Sequence, residues 1–190
     1  MIERMPLRWL PVLLLLGGVL AGCDAAGDET RTLVLQPEVL EDRQGRDISF
    51  TFMSDTFPVG QLEDIACGCA IDLGPYLQAQ GFSKADIVSA RLESARLVLL
   101  FPISERFDFL DEAILKFEAD GLSATEVANR SEFPASREVE LNVLANRDVT
   151  GFLVRNDFEV ILQIDARELE PSEDYEMVLV MTFRLEVEGL

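Results

Sequence analysis

From residue 31 onward the apolar side chains recur at every second position more often than at helical spacing. Tyr175, Met177, Leu179, Met181, Phe183, Leu185 and Val187 alternate with residues that include Glu176, Thr182, Arg184 and Glu186, which predicts a long strand with one buried face. Val178 and Val180 make its middle apolar on both faces. Phe158, Val160, Leu162, Ile164 and Ala166 repeat the pattern against Glu159, Gln163, Asp165 and Arg167. Glu170-Pro171-Ser172-Glu173-Asp174 is a turn-rich break between these runs, so the two are expected to form an antiparallel pair.

Earlier strands are expected at 32–35, at Ile48, Phe50 and Phe52, and at Val139, Leu141 and Val143. Within 87–101 the phase changes. Val88, Ala90 and Leu92 share one face, while Ala95, Leu97, Leu99 and Phe101 lie an odd number of positions away, which predicts a bulge or a change of sheet near Glu93-Ser94. Short helical segments are expected at 73–80, 107–113, 124–130 and 149–154. Two of them share a pattern: Asp72-Leu73, Tyr76-Leu77 and Phe82 match Asp148-Val149, Phe152-Leu153 and Phe158 at one constant offset. In each, the aspartate is positioned to cap a helical turn. The whole reads as an all-β, antiparallel β-sandwich of about seven strands, immunoglobulin-like or related, spanning 32–190.

Residues 1–22 follow a different logic. Arg4 and Arg8 precede the apolar run from Trp9 to Leu20, a positively charged start followed by a hydrophobic core. The run falls short of the ~20 residues that span a bilayer comfortably, and Pro11, Gly17 and Gly18 disfavour a permanent helix. Leu20-Ala21-Gly22-Cys23 then resembles the lipobox of bacterial lipoproteins. The resemblance is confined to the leader and its junction. It implies cleavage between Gly22 and Cys23, diacylglycerol on the Cys23 thiol and often a third acyl chain on the new amine. With about 0.8 kcal/mol per buried CH₂, two or three chains hold a protein on a membrane. Asp24 resembles the inner-membrane retention signal of enteric bacteria, a rule that other bacteria do not reliably follow, so inner and outer membrane both stay open. The small, polar stretch 24–30 suits a tether between the lipidated Cys23 and the domain.

Charge and composition narrow the function. The formal charge is −19. Loss of the leader removes Glu3, Arg4 and Arg8 and leaves the balance one unit more negative. Nucleic acid is excluded as a partner, because its binding depends on cationic side chains that displace counterions from phosphates. The chain contains no histidine, which removes Ser-His and Cys-His nucleophile pairs and histidine-bearing zinc sites. No catalytic residue, metal or cofactor is expected.

Candidate chemistry is sparse. Cys67-Gly68-Cys69 is the most unusual local feature after Cys23, and an exported setting permits oxidation. It admits a local disulfide, two free or buried thiols, or a redox or metal role. Asp108, Asp111 and Glu112 group near a turn but lack the alternation of a calcium loop. Glu168, Glu170, Glu173 and Asp174 raise the question of paired catalytic carboxylates, yet they fall in a polar turn. Asn129-Arg130-Ser131 matches a glycosylation pattern that carries little weight in a bacterium. Phe101, Phe107, Phe109, Phe117, Phe133 and Phe152 are numerous enough to line an apolar cavity. The expectation is therefore a non-enzymatic lipoprotein of the cell envelope, with the bilayer as its partner through Cys23 and an envelope protein as a further partner. Its role is interaction or envelope structure, with a carrier of lipid or another apolar ligand as the alternative.

Overall fold

The computed structural model describes residues 30–35, 48–67, 69, 71–155 and 158–188. The leader, the Gly22-Cys23 junction and most of the expected tether lie outside the described residues. Ten strands are present among the described residues, in two five-stranded antiparallel sheets. The first sheet contains β1 (Thr30–Leu35), β2 (Ser49–Met53), β4 (Ile87–Phe101), β7 (Glu138–Glu140) and β10 (Asp174–Glu188). The second contains β3 (Glu63–Ala66), β5 (Leu110–Ala119), β6 (Leu122–Arg130), β8 (Asn142–Val143) and β9 (Glu159–Ala166). Two short helices, α1 (Gly74–Ala79) and α2 (Thr150–Leu153), connect strands. Strand β1 opens at Thr30, inside the stretch expected to be tether.

The all-β sandwich follows from the alternation. Every odd position of β10 from Tyr175 to Val187 is buried, as are Val160, Leu162, Ile164 and Ala166 of β9. The sheets meet through these faces, and Phe117 of β5 lies 5.9 Å from Phe183 of β10 between ring centroids. Strand β10 organises the first sheet. One of its edges carries β4, and the other carries β2 beside residues 174–178 and β1 beside residues 183–188, end to end.

Several expectations are corrected. The strands β9 and β10 do not pair with each other. The turn between them carries the chain out of the second sheet, where β9 pairs with β3 and β5, into the first. The expected strand through Val139, Leu141 and Val143 is divided in the same way. Its first part, β7, joins β4, its second part, β8, joins β6, and Leu141 between them donates its N–H to Ala95 O at 2.8 Å. That division, with β3, β5 and β6, none of which was read as a strand, accounts for ten strands where about seven were expected.

The expected irregularity in β4 is a bulge. Ser94 faces Thr182 and Leu92 faces Phe183, so Glu93 is an extra residue, and its carboxylate bonds Arg184. Two more bulges follow the same register, at Leu100 and Val88. The second turns Val88 outward and buries Ile87 in its place, contrary to expectation.

The segment 124–130 is strand β6, not helix. Leu115 faces Ala128 while Lys116 faces Glu126, so Val127 is extra and both Val127 and Ala128 are buried. That adjacent pair breaks the period of two and imitates a helical pattern. Within 107–113 only Phe107–Phe109 forms a 3₁₀ turn before β5 begins.

The helices at 73–80 and 149–154 are present in shortened form, and their shared pattern has a shared geometry. Asp72 accepts the N–H of Gly74 and Asp148 that of Thr150, each at 2.9 Å, while Leu73, Leu77, Val149 and Leu153 are buried. Gly81, at φ 85°, closes α1. Its N–H reaches Gln78 O and that of Phe82 reaches Leu77 O, the paired bonds of a left-handed helix end.

Candidate interaction surface

The two ends of the sandwich differ in chemistry. Thr30 of β1 faces Glu188 at one end of β10, and Met53 of β2 faces Asp174 at the other. Fifteen residues separate these ends, roughly 45–50 Å along an extended strand. The end near Thr30 also carries the start of β4 and α2, whose cap residue Val149 donates its N–H to Ala90 O.

The far end carries a cleft of about 900 Å³ on the outer face of the first sheet. Strand β2 contributes Thr51, Phe52 and Met53, and the turn after it Thr56. Phe101 ends β4 on the opposite side. The floor and remaining wall come from Asp174 and Glu176 on β10 and from Ser172 and Glu173 just ahead of it. Register sets the intimacy of these groups: Glu176 faces Thr51 on one side and Phe101 on the other. Met53 is 56% exposed, Phe101 50% and Ile103, two residues further on, 73%. Val88 and Val154 are exposed near the Thr30 end, but Met53, Phe101 and Ile103 are larger and more exposed, the informative kind of exposure. Among the described residues no lysine or arginine lines the cleft, whereas Glu173, Asp174 and Glu176 do.

The surroundings hold this surface in shape. Phe52 packs against Phe57 at 4.5 Å and stacks on the buried Tyr175 at 5.0 Å. The Tyr175 hydroxyl accepts the N–H of Glu170 at 3.1 Å, a tyrosine corner where the chain changes sheets. Burial pushes the Tyr175 phenol above its ordinary value. The turns on the cleft rim are laced together: Asp55 accepts the N–H of Ser172 at 2.8 Å, and Ser54 Oγ that of Glu173 at 3.0 Å.

Beside Phe101, the guanidinium of Arg137 donates to four carbonyl oxygens of one turn. Nη2 reaches Leu99 and Leu100 at 2.5 and 2.8 Å, and Nη1 reaches Pro102 and Ile103 at 2.9 and 2.5 Å. Burial, followed by the charges of Glu170 and Asp108, raises the carboxyl of Glu105 above its ordinary range.

The residues singled out in the sequence are scattered. Cys67 and Cys69 are joined by a disulfide at the end of β3, with their Cα atoms 5.1 Å apart. The N–H of Cys67 reaches Val160 O at 3.3 Å and Cys69 is buried in the core, so the bridge closes off the strand. Asp111 pairs with Arg167 at 2.7 Å, Glu112 faces Asp165 across β9, and Asp108 lies in the 3₁₀ turn. Glu168, Glu170, Glu173 and Asp174 are exposed. Asn129 donates to Glu126 at 2.6 Å on β6. Phe107, Phe109, Phe117 and Phe152 are buried in the core and Phe133 packs against it, with only Phe101 open to the cleft. Among the described residues, no group of three or more acidic or cysteine side chains is arranged to hold a metal ion.

The exposure of Met53 and Phe101 was missed in the sequence. Its signal was the apolar run Leu99-Leu100-Phe101 continuing through Pro102 to Ile103, past the point where period-two burial has any use for it.

The fold defines an antiparallel, all-β sandwich bearing, at one end, a cleft lined by both apolar and acidic side chains. No protein-family model matches the chain, and no curated protein matches it.

Proposed function

We propose that this chain is a lipid-tethered, non-enzymatic interaction module of a bacterial cell envelope, and that its contact surface is the cleft at Met53 and Phe101. The lipobox Leu20-Ala21-Gly22-Cys23 supports the anchor, with Cys23 as the acylated residue. The observation that carries the reading is the separation of the two ends. The described chain begins at Thr30 against Glu188, and the exposed Met53, Phe101 and Ile103 lie at the opposite limit of β10. A tether on one end leaves the other free to meet a partner. The alternative, a lipid carrier, gains nothing from Phe107, Phe109, Phe117 and Phe152, which spend their rings on core packing.

Two measurements test the proposal. Radiolabelled palmitate should enter the wild-type chain in bacteria and fail to enter Cys23→Ser. A photo-reactive benzophenone side chain at position 53 or 101 should capture the same envelope protein in living cells, and one at the exposed position 91 should not. Palmitate entering both chains equally overturns the anchor. Capture independent of position overturns the surface.

A further inference from the structure

We infer that the cleft accepts a cationic segment of a partner protein, one that presents lysine or arginine beside a bulky apolar residue. The inference rests on the interaction reading above and specifies the chemistry of the occupant.

Three features of the cleft select that chemistry together. Its apolar surface is divided between opposite walls, Met53 on β2 and Phe101 on β4, each half or more exposed. A carboxylate stands across the strand from each of them: Asp174 faces Met53, and Glu176 faces Phe101. Of the described cations on the neighbouring turn, Arg137 donates to four carbonyls and Arg106 to the carbonyls of Ser104 and Glu105. Lysine and arginine combine an apolar stem with a charged head. Such a stem can lie along Met53 or Phe101 while its head reaches Asp174 or Glu176, and arginine can also stack on the Phe101 ring. The adjacent apolar residue fills the space between the walls. At about 900 Å³ the cleft is large enough for a few side chains of this kind.

The same charges reject the competing occupants. An acidic peptide or an anionic lipid surface meets Glu173, Asp174 and Glu176 together with a chain whose formal charge is −19. A second copy of this chain carries the same net charge to the encounter.

The test uses the full mature lipoprotein in neutral detergent micelles with methyl-labelled methionine. Met177 and Met181 are buried, so Met53 supplies the exposed methyl signal at the cleft. The probes are the fluorescent peptides Ser-Lys-Leu-Arg-Ser, its acidic counterpart Ser-Glu-Leu-Asp-Ser, and Ser-Lys-Ser-Arg-Ser, which lacks the apolar anchor. The first should bind by fluorescence anisotropy and shift the Met53 methyl resonance. The other two should bind on the order of tenfold more weakly, as should the first peptide with Phe101→Ser or with the double change Asp174→Asn and Glu176→Gln. Added salt should weaken the interaction further.

Equal binding of the acidic peptide, an unmoved Met53 signal on binding, or wild-type affinity in both variants overturns the inference. If position 101 captures a protein in cells while the cationic peptide leaves Met53 unmoved, the charge assignment fails and the interaction reading stands. Failure of both measurements removes both.

Discussion

The hydroxyl of Tyr175 accepts the backbone N–H of Glu170 at 3.1 Å, five residues earlier in the chain and across the turn that joins the two sheets. The ring is wholly buried between Phe52, which it stacks against, and Phe109, both at 5.0 Å. The polar tip thus fixes the corner and the apolar body fills the core beneath the cleft. Tyr175→Phe keeps the body and removes the tip. Glu170 is exposed and its N–H can turn to water, so the loss should lie near the ordinary worth of one hydrogen bond, about 0.5–1.5 kcal/mol. Urea denaturation checks this: the midpoint should fall with the slope unchanged.

Arg137 holds the turn that presents Phe101 and Ile103. Arg137→Met retains an apolar stem and withdraws all the donors from the carbonyls of Leu99, Leu100, Pro102 and Ile103. Solvent can replace part of that bonding, so the expected destabilisation is about 1.5–3 kcal/mol rather than four separate bonds' worth. Amide hydrogen exchange should quicken at Leu100 and Ile103 more than at the buried centre of β10.

Phe117 is the point at which the sheets lock together. Its ring lies 5.4 Å from Phe158, 5.9 Å from Phe183 and 6.0 Å from Phe152, and its exposure is 0%. Truncation to alanine leaves a void lined by three rings that cannot all close on it. Phe117→Ala should cost about 3–5 kcal/mol, and Phe117→Leu clearly less. Thermal unfolding of the two variants beside wild type decides the order.

Asp148 couples stability to acid. Its carboxylate accepts the hydroxyl and the N–H of Thr150, and those bonds, the hydroxyl's foremost, hold the carboxyl below its ordinary value of 3.8. A carboxyl depressed in the folded state stabilises the fold above the unfolded value, and loses that contribution as pH falls through the folded one. Asp148→Asn should therefore be less stable than wild type at neutral pH, and the gap should close as pH drops below about 3.8. Urea midpoints measured across that range check it; a gap that stays constant with pH contradicts the assignment.

Legibility in the sequence followed the range of the interaction. Burial along β9 and β10 is a local matter of alternate positions, and it was readable from Phe158 to Val187. The bonds that Asp72 and Asp148 accept from residues two further on, at the start of each helix, are local and were readable too. The bulge at Glu93 left a phase change in its own strand.

What failed was partnership. Period two reads the same whether the next strand pairs beside it or crosses to the other sheet, so β10 was joined to β9 and the run through Leu141 was kept in one piece. Tyr175 at the start of its strand was the available sign of a crossing. At β6 the pairing with β5 overrode a helical-looking run, because an extra Val127 placed two apolar residues side by side. The grip of Arg137 on a turn 34–38 positions away left no mark in its neighbourhood. The exposed Phe101 was legible as apolar, and its outward placement depends on where β4 ends against β10.

Strand β10 is the latest described element to be synthesised, yet β1, β2 and β4 all need it as their neighbour. Until it emerges, β1 and β2 lack a partner strand, and β4 has only the three-residue β7 beside it. Assembly of the first sheet therefore waits for β10. The cost is slow acquisition of structure, since pairs such as Thr30 with Glu188 bring together positions far apart in the chain. Without residues 174–188 the first sheet would be reduced to the β4–β7 pair, and β1 and β2 would have no strand to join.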